Sequence, residues 1–193
     1  MKKIILASRS PQRRKLMKVL GVPFSVRTSQ AQEIETITTN VADLVRDNAL
    51  LKALDVAGGL RGGEALVIGA DTVVFSRGHL VLKPGNLKAA RRHLKKLMAE
   101  PHWVYTGIAV VDTATGRVRI DYEKTKVFMT RLSDREIRRY HRLVPPMDKA
   151  GGFDIEGRGG LFIPRIEGCY FNVVGLPIAK LTRMLRDFGV RVL

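Results

Sequence analysis

Apolar and polar positions along this chain change period several times, and each change marks an element. Lys3–Ala7 is a short apolar run that reads as a first strand. Ser10 then suits a helix N-cap and Pro11 a first helical residue, with Leu16, Val19 and Leu20 as the apolar stripe and Gly21 as the stop. Helical spacing returns from about Val41 to Ala57, predicting Val41, Leu44, Val45, Leu51 and Leu54 as an inner face. ALVIGADTVVF is a continuous apolar run broken by Asp71, as expected of a buried strand ending at a charged site. Leu87 to Met98 is helical again.

HWVYTGIAVVD and RVRIDYEKTKVFMTRL then read as two long strands joined by a turn at Thr113 to Gly116. Ser133 and Glu136 have capping-box spacing for a helix through Tyr140. LFIPRIEGCYFNVVG has the pattern of a hairpin, and Pro177 to Phe188 that of a closing helix stopped by Gly189. Strands interleave with helices, while adjacent long strands imply antiparallel pairs as well. An α/β fold with a mixed sheet follows.

Composition narrows the class. With 193 residues, 45% hydrophobic and 27% charged, the chain is long enough for a proper core and too apolar to be disordered. No apolar run approaches a membrane span, and Ile4–Ala7 is too short for the core of a signal peptide, so a cytoplasmic protein away from membranes is expected. A single cysteine, Cys169, makes neither an internal disulfide nor a cysteine metal cluster and suits a partly buried small side chain. Thirty-four Lys and Arg against 18 acids give +16, which attracts nucleic acid, acidic membranes or polyphosphates without choosing among them. Two basic runs, Lys88–Lys96 and Arg135–Arg142, alternate with apolar residues at helical spacing and read as solvated outer faces.

The candidate chemistry lies elsewhere. SRSPQRR joins the first strand to the first helix, where free N–H groups, the helix dipole and arginines would meet an anion. Asp71 suits either a functional acid at the end of a strand or a capping turn residue. Lys83 in LVLKPG and Glu33 in its polar loop are each compatible with plain solvation. Together these types match one ligand: a triphosphate needs cations for its oxygens, and carboxylates for the accompanying Mg²⁺. Ser8, Ser10 and Arg13 would form the anion cradle, and Asp71 with a loop glutamate the metal ligands. DKAGGFDIEGRGGLF adds glycines that suit either close backbone approach to a ligand or a mobile loop.

SRSPQRRKL, VIGADTVV, LKP, EKTKVF, MDKAGGFDIEGRGGLF and YFNVVGLP, in that order from Leu6 to Leu181, resemble the Maf family of septum-formation inhibitor-like nucleoside triphosphate pyrophosphatases. The resemblance implies a single domain over 1–193, two lobes around a central cleft, with the elongated mixed sheet and flanking helices of inosine triphosphate pyrophosphatases. It implies hydrolysis between the α and β phosphorus atoms, a divalent cation (Mg²⁺ or Mn²⁺) and a nucleoside triphosphate substrate, with a role in cell-division arrest. It makes Asp71 the proton acceptor, Glu33 and Asp71 the metal ligands, and Ser8, Ser10, Arg13, Lys52 and Lys83 the substrate-binding residues.

Base choice stays open. A branch acting on dTTP and UTP resembles S-P-R-R, D-T and I-Q-G at three positions, and a 7-methyl-GTP branch S-P-W-R-R, D-Q and S-E-G. This chain carries Gln12, Thr72 and Glu156 there. The rival class is a basic nucleic-acid-binding protein without hydrolase activity. No nucleic-acid module is recognisable, so nucleic acid is not expected as a partner; a homodimer is left open.

Overall fold

A computed structural model describes residues 2–60 and 62–192. The chain forms two compact units, one of Met1–Asp71, Thr106–Glu123 and Gly175–Leu193, the other of Thr72–Tyr105 and Lys124–Val174. A seven-stranded mixed sheet carries the fold, hydrogen-bonded in the order Ser25–Arg27, Lys3–Ala7, Ala65–Ser76, His102–Asp112, Val118–Phe128 and Arg165–Glu167, with His79–Val81 beside Ala65–Ser76. Helices flank it, so the expected α/β class with a mixed sheet is what the chain adopts.

In the first unit, β1 (Lys3–Ala7) pairs parallel to β2 (Ser25–Arg27), with Leu6 opposite Val26. It also pairs parallel to β3 (Ala65–Ser76), with Ile5 opposite Val67. Between β1 and β2 runs α1 (Pro11–Val19), its cap Ser10 accepting from the Arg13 N–H as the sequence predicts. Leu16, Met17 and Leu20 are buried, but Val19 is 64% exposed. The stripe therefore passes through Met17 rather than Val19.

The helix α2 (Val41–Gly58) shows a larger departure. Leu51 and Leu54 are exposed, and the inward face runs Val41, Leu44, Val45, Asn48, Ala49, Lys52, Ala53 and Val56. Two polar residues stand mid-stripe, and an apolar-only pattern slides past them onto the neighbouring leucines. The helix also sits unusually close to the sheet. A Cβ at Gly69 would lie 2.0 Å from the Ala49 carbonyl oxygen, and one at Gly107 2.0 Å from that of Val45. Only glycine beneath and small residues above permit that approach.

In the second unit, β3 does not end at Asp71; it runs on to Ser76, turns at Arg77–Gly78 and returns as β4 (His79–Val81). Next come α3 (Leu87–Ala99), β5 (His102–Asp112) and β6 (Val118–Phe128), the last two crossing from unit to unit. A capping box at Ser133 and Glu136 opens α4 (Asp134–Leu143), as its spacing predicts. The expected hairpin in LFIPRIEGCYFNVVG is not formed. Phe162 ends a 3₁₀ turn, β7 (Arg165–Glu167) pairs antiparallel with β6, and Tyr170–Val174 is a short helix, α5. Asn172 holds that helix down by donating to the Val104 carbonyl and the Thr125 hydroxyl. In the first unit α6 (Ile178–Arg186) closes the chain. No helix among the described residues is long and apolar enough to cross a membrane.

Candidate active site

The close seat of α2 delivers two polar side chains to β3. Asn48 and Lys52 lie one turn apart on the inward face, and Asp71 points from β3 to meet them. The Lys52 ammonium donates to Asp71 Oδ1 at 2.6 Å and lies 2.9 Å from Glu33 Oε1. Asn48 Nδ2 donates to Asp71 Oδ2 at 3.3 Å. The carboxylate and the lysine are both buried, so each needs the other: an unpaired charge at such a site costs several kcal/mol.

Asn48 has a second task that sequence reasoning missed. Its Oδ1 accepts from the Ile34 N–H at 2.7 Å, while its Nδ2 donates to the Ile34 carbonyl at 2.9 Å. Both backbone groups of Ile34 are thus tied to α2, fixing the loop where Glu33 begins its reach to Lys52. The signal was available as a polar residue one turn before Lys52 on a buried stripe.

The turn after β1 arrives in the same unit. Ser8 Oγ accepts from the Ser10 N–H at 3.2 Å and from Arg13 Nη1 at 3.4 Å. Arg13 Nε donates to the Gly175 carbonyl at 2.8 Å, so the guanidinium is held at both ends. Ser10 Oγ caps the Arg13 N–H and donates to Gln12 Oε1. Burial lowers the Arg13 pKa from its ordinary value, while the negative charges of Asp71 and Glu33 oppose that shift. The opposition places these charges within electrostatic reach of one another. Arg13 keeps its proton at any physiological pH.

Ser8, Ser10, Gln12, Arg13, Glu33, Lys52 and Asp71 therefore belong to one compact unit, and each interacts directly with another of the set. Lys83, Thr72 and Glu156 belong to the other unit. Lys83 is exposed in the loop after β4, Thr72 follows Asp71 on β3, and Glu156 is partly buried before the 3₁₀ turn of Gly157–Phe162. The glycine-rich segment around Glu156 is folded against itself. A Cβ at Gly159 would lie 1.5 Å from the Asp154 carbonyl oxygen, and Tyr140 donates its hydroxyl to Asp154.

The first unit also carries Lys180 of α6, which lies 3.2 Å from Asp121 and 3.7 Å from Glu123 and donates to the Tyr122 carbonyl.

Among the described residues, no group of three or more His, Cys, Asp or Glu converges on a point. Glu33 and Asp71 instead form a carboxylate pair gathered around one cation. That donor set fits Mg²⁺, which takes one or two carboxylates and completes its shell with water and phosphate oxygens. The charges of Arg13 and Lys52 are already matched by those of Glu33 and Asp71. A polyphosphate entering here would bring negative charge that the four side chains alone do not balance.

The family model described as Maf-like protein matches residues 3–188. A dTTP/UTP pyrophosphatase of Pelotomaculum thermopropionicum is 46% identical over 193 residues, covering 100% of both chains. Proteins of the same name from Alkaliphilus oremlandii and Dictyoglomus thermophilum are 45% and 42% identical, covering 100% of this chain and 100% and 99% of theirs. Among solved structures, the Staphylococcus aureus Ham1 protein aligns at TM-score 0.47 and 15% identity, over 67% of this chain and 72% of that one.

Proposed function

The chain belongs to the Maf family, and on that premise we propose that it hydrolyses nucleoside triphosphates between the α and β phosphorus atoms, releasing a monophosphate and pyrophosphate. The observation that carries this reading is the buried Asp71, bonded to Lys52 and Asn48, with Glu33 on the same lysine. The full-length likeness to relatives named dTTP/UTP pyrophosphatase supports it.

Each residue then has a defined task. The water oxygen bonds to phosphorus as the bridging P–O bond breaks, and Asp71 accepts the water's proton. Arg13 and Lys52 stabilise the charge that builds on the departing pyrophosphate. Ser8 and the positive dipole end of α1 orient the phosphate chain. Glu33 and Asp71 would hold the divalent ion, which when bound polarises phosphate oxygens and offsets their charge.

The relatives' names favour a pyrimidine triphosphate, and Thr72 agrees with that branch. Glu156 is the departure: a carboxylate only accepts, whereas an amide also donates to a pyrimidine carbonyl. The test is a panel of dTTP, UTP, the other natural triphosphates and 7-methyl-GTP with Mg²⁺ or Mn²⁺, the products separated. Monophosphate plus pyrophosphate, fastest from dTTP and UTP, is expected. Diphosphate plus phosphate, or no turnover of any member, would overturn the proposal.

A further inference from the structure

The two basic runs that read as solvated faces in the sequence come together in the second unit. α3 and α4 touch, and Lys95 of α3 is ion-paired with Asp134 of α4 at 2.5 Å. The two helices carry nine cations against two acids. Along α3 lies an open groove of about 500 Å³ lined by Arg77, Lys88, Arg91, Arg92, Lys95, Lys96 and a single alanine, Ala99. Of its cations, Arg77 is paired with Glu100 and Lys95 with Asp134. Lys88, Arg92 and Lys96 are exposed with no ion pair to a carboxylate among the described residues, and Arg91 Nε is buried there without a hydrogen-bond partner.

Arg77 adds an independent observation. It occupies the two-residue turn between β3 and β4 with φ of 52°, the one described non-glycine residue with positive φ. A side chain in that conformation is strained, and glycine or asparagine is the ordinary choice. Strain of this kind concentrates where a particular side chain is needed. Here it holds an arginine in the lining of the groove.

We infer that this α3–α4 face binds the phosphate backbone of nucleic acid without reading its bases. The lining contains no aromatic ring and no neutral polar side chain, so nothing there stacks on a base or recognises a sugar. From Lys88 to Lys96 the cations extend about 12 Å along the helix, and α4 continues the charge beyond it. That suits a chain of phosphates. An acidic membrane is the poorer match, because Leu94, Leu97 and Met98 of α3 and Ile137 of α4 are committed to the core, and Leu87 and Leu143, one on each helix, are the only large apolar residues these two helices expose.

The experiment is fluorescence anisotropy of the intact protein with labelled oligo-dT and with a duplex of equal length, across a salt series. Vesicles of anionic phospholipid form a parallel arm. Binding should weaken steeply with salt, its log–log slope set by about 0.9 per duplex phosphate neutralised and about 0.7 per single-strand phosphate. The variant K88Q/R92Q/K96Q should bind about tenfold more weakly and lose roughly two to three from the slope, with triphosphate hydrolysis unchanged. R183Q/R186Q/R191Q removes the same charge elsewhere and should bind like the parent. No binding at low salt, an equal loss in the two variants, or tighter binding to vesicles than to either nucleic acid would each overturn the inference.

Discussion

α2 and α3 are both long, both charged and both pressed against the sheet, yet they spend their polar residues in opposite ways. On α2, Asn48 and Lys52 interrupt the buried stripe and are satisfied by Asp71, Glu33 and the Ile34 backbone. On α3 the buried stripe is apolar throughout, and all five cations stand outside it. A charge facing the core has to be matched there by a partner, so it marks a built site. A charge facing water needs no partner and has meaning only with its neighbours. The +16 of the whole chain distinguishes neither case; position on the helix does.

The largest expected effect tests the inward kind. Asp71→Asn keeps the shape but leaves one oxygen to accept from either Lys52 or Asn48, and it removes the proposed proton acceptor and one of the two negative charges on Lys52. Turnover should fall about 10³-fold, within the range for loss of a general base. Lys52 retains Glu33, so the fold should survive, as a melting curve would show. Pyrophosphate release near the parent rate would mean that the buried pair on α2 serves stability alone.

Gly107→Ala probes the seat itself. The new methyl would stand 2.0 Å from the Val45 carbonyl oxygen, a distance only backbone movement relieves. Overpacking against backbone should cost about 3 kcal/mol and lift α2, with hydrolysis lost together with stability. A variant that melts like the parent would show that α2 has room, and that Lys52 and Asn48 reach Asp71 for some reason other than close packing.

The helices were legible where their ends carry chemistry. Ser10 with Pro11, and Ser133 with Glu136, are local devices that act within one turn, so spacing alone finds them. The short strands were not. β2 and β7 have three residues each and exist because β1 and β6 offer them partners distant in sequence. Asp71 was legible as a charge in an apolar run, but its place inside β3 rather than at its end was not, since the strand continues into a hairpin. Lys52 entered through family resemblance. Asn48 was passed over because a polar residue on a helix ordinarily faces water.

His102 offers the second unit's version of a buried polar group. It is fully buried, with its ring edge-on to Phe153 at 5.6 Å, and burial lowers its pKa from 6.5 to about 4. The folded state binds this proton less readily than the unfolded one. Its contribution is complete above pH 6.5 and is lost as pH falls toward 4, by about 3 kcal/mol in all. Denaturant titrations across that window should show the slope in the parent and a flatter profile in His102→Leu. Equal slopes would mean that the His102 ring reaches water and that the slope belongs to other groups, the buried His141 among them.

Asn48→Ala is the mildest change and the most discriminating. It removes two bonds to the Ile34 backbone and one to Asp71, leaving both Ile34 groups to find water in the partly buried loop. Three lost bonds of this sort cost about 2 kcal/mol when some are replaced by solvent. A purely structural role would stop at that lower melting temperature. If Asn48 positions Glu33, the half-maximal concentration of Mg²⁺ for hydrolysis should also rise about tenfold, because one carboxylate would no longer be held near Asp71. The two readouts separate cleanly: a destabilised enzyme with an unchanged Mg²⁺ requirement makes Asn48 a brace for the loop. A shifted requirement makes α2 the element that sets both carboxylates, which α3, whose buried stripe is apolar throughout, has no means of doing.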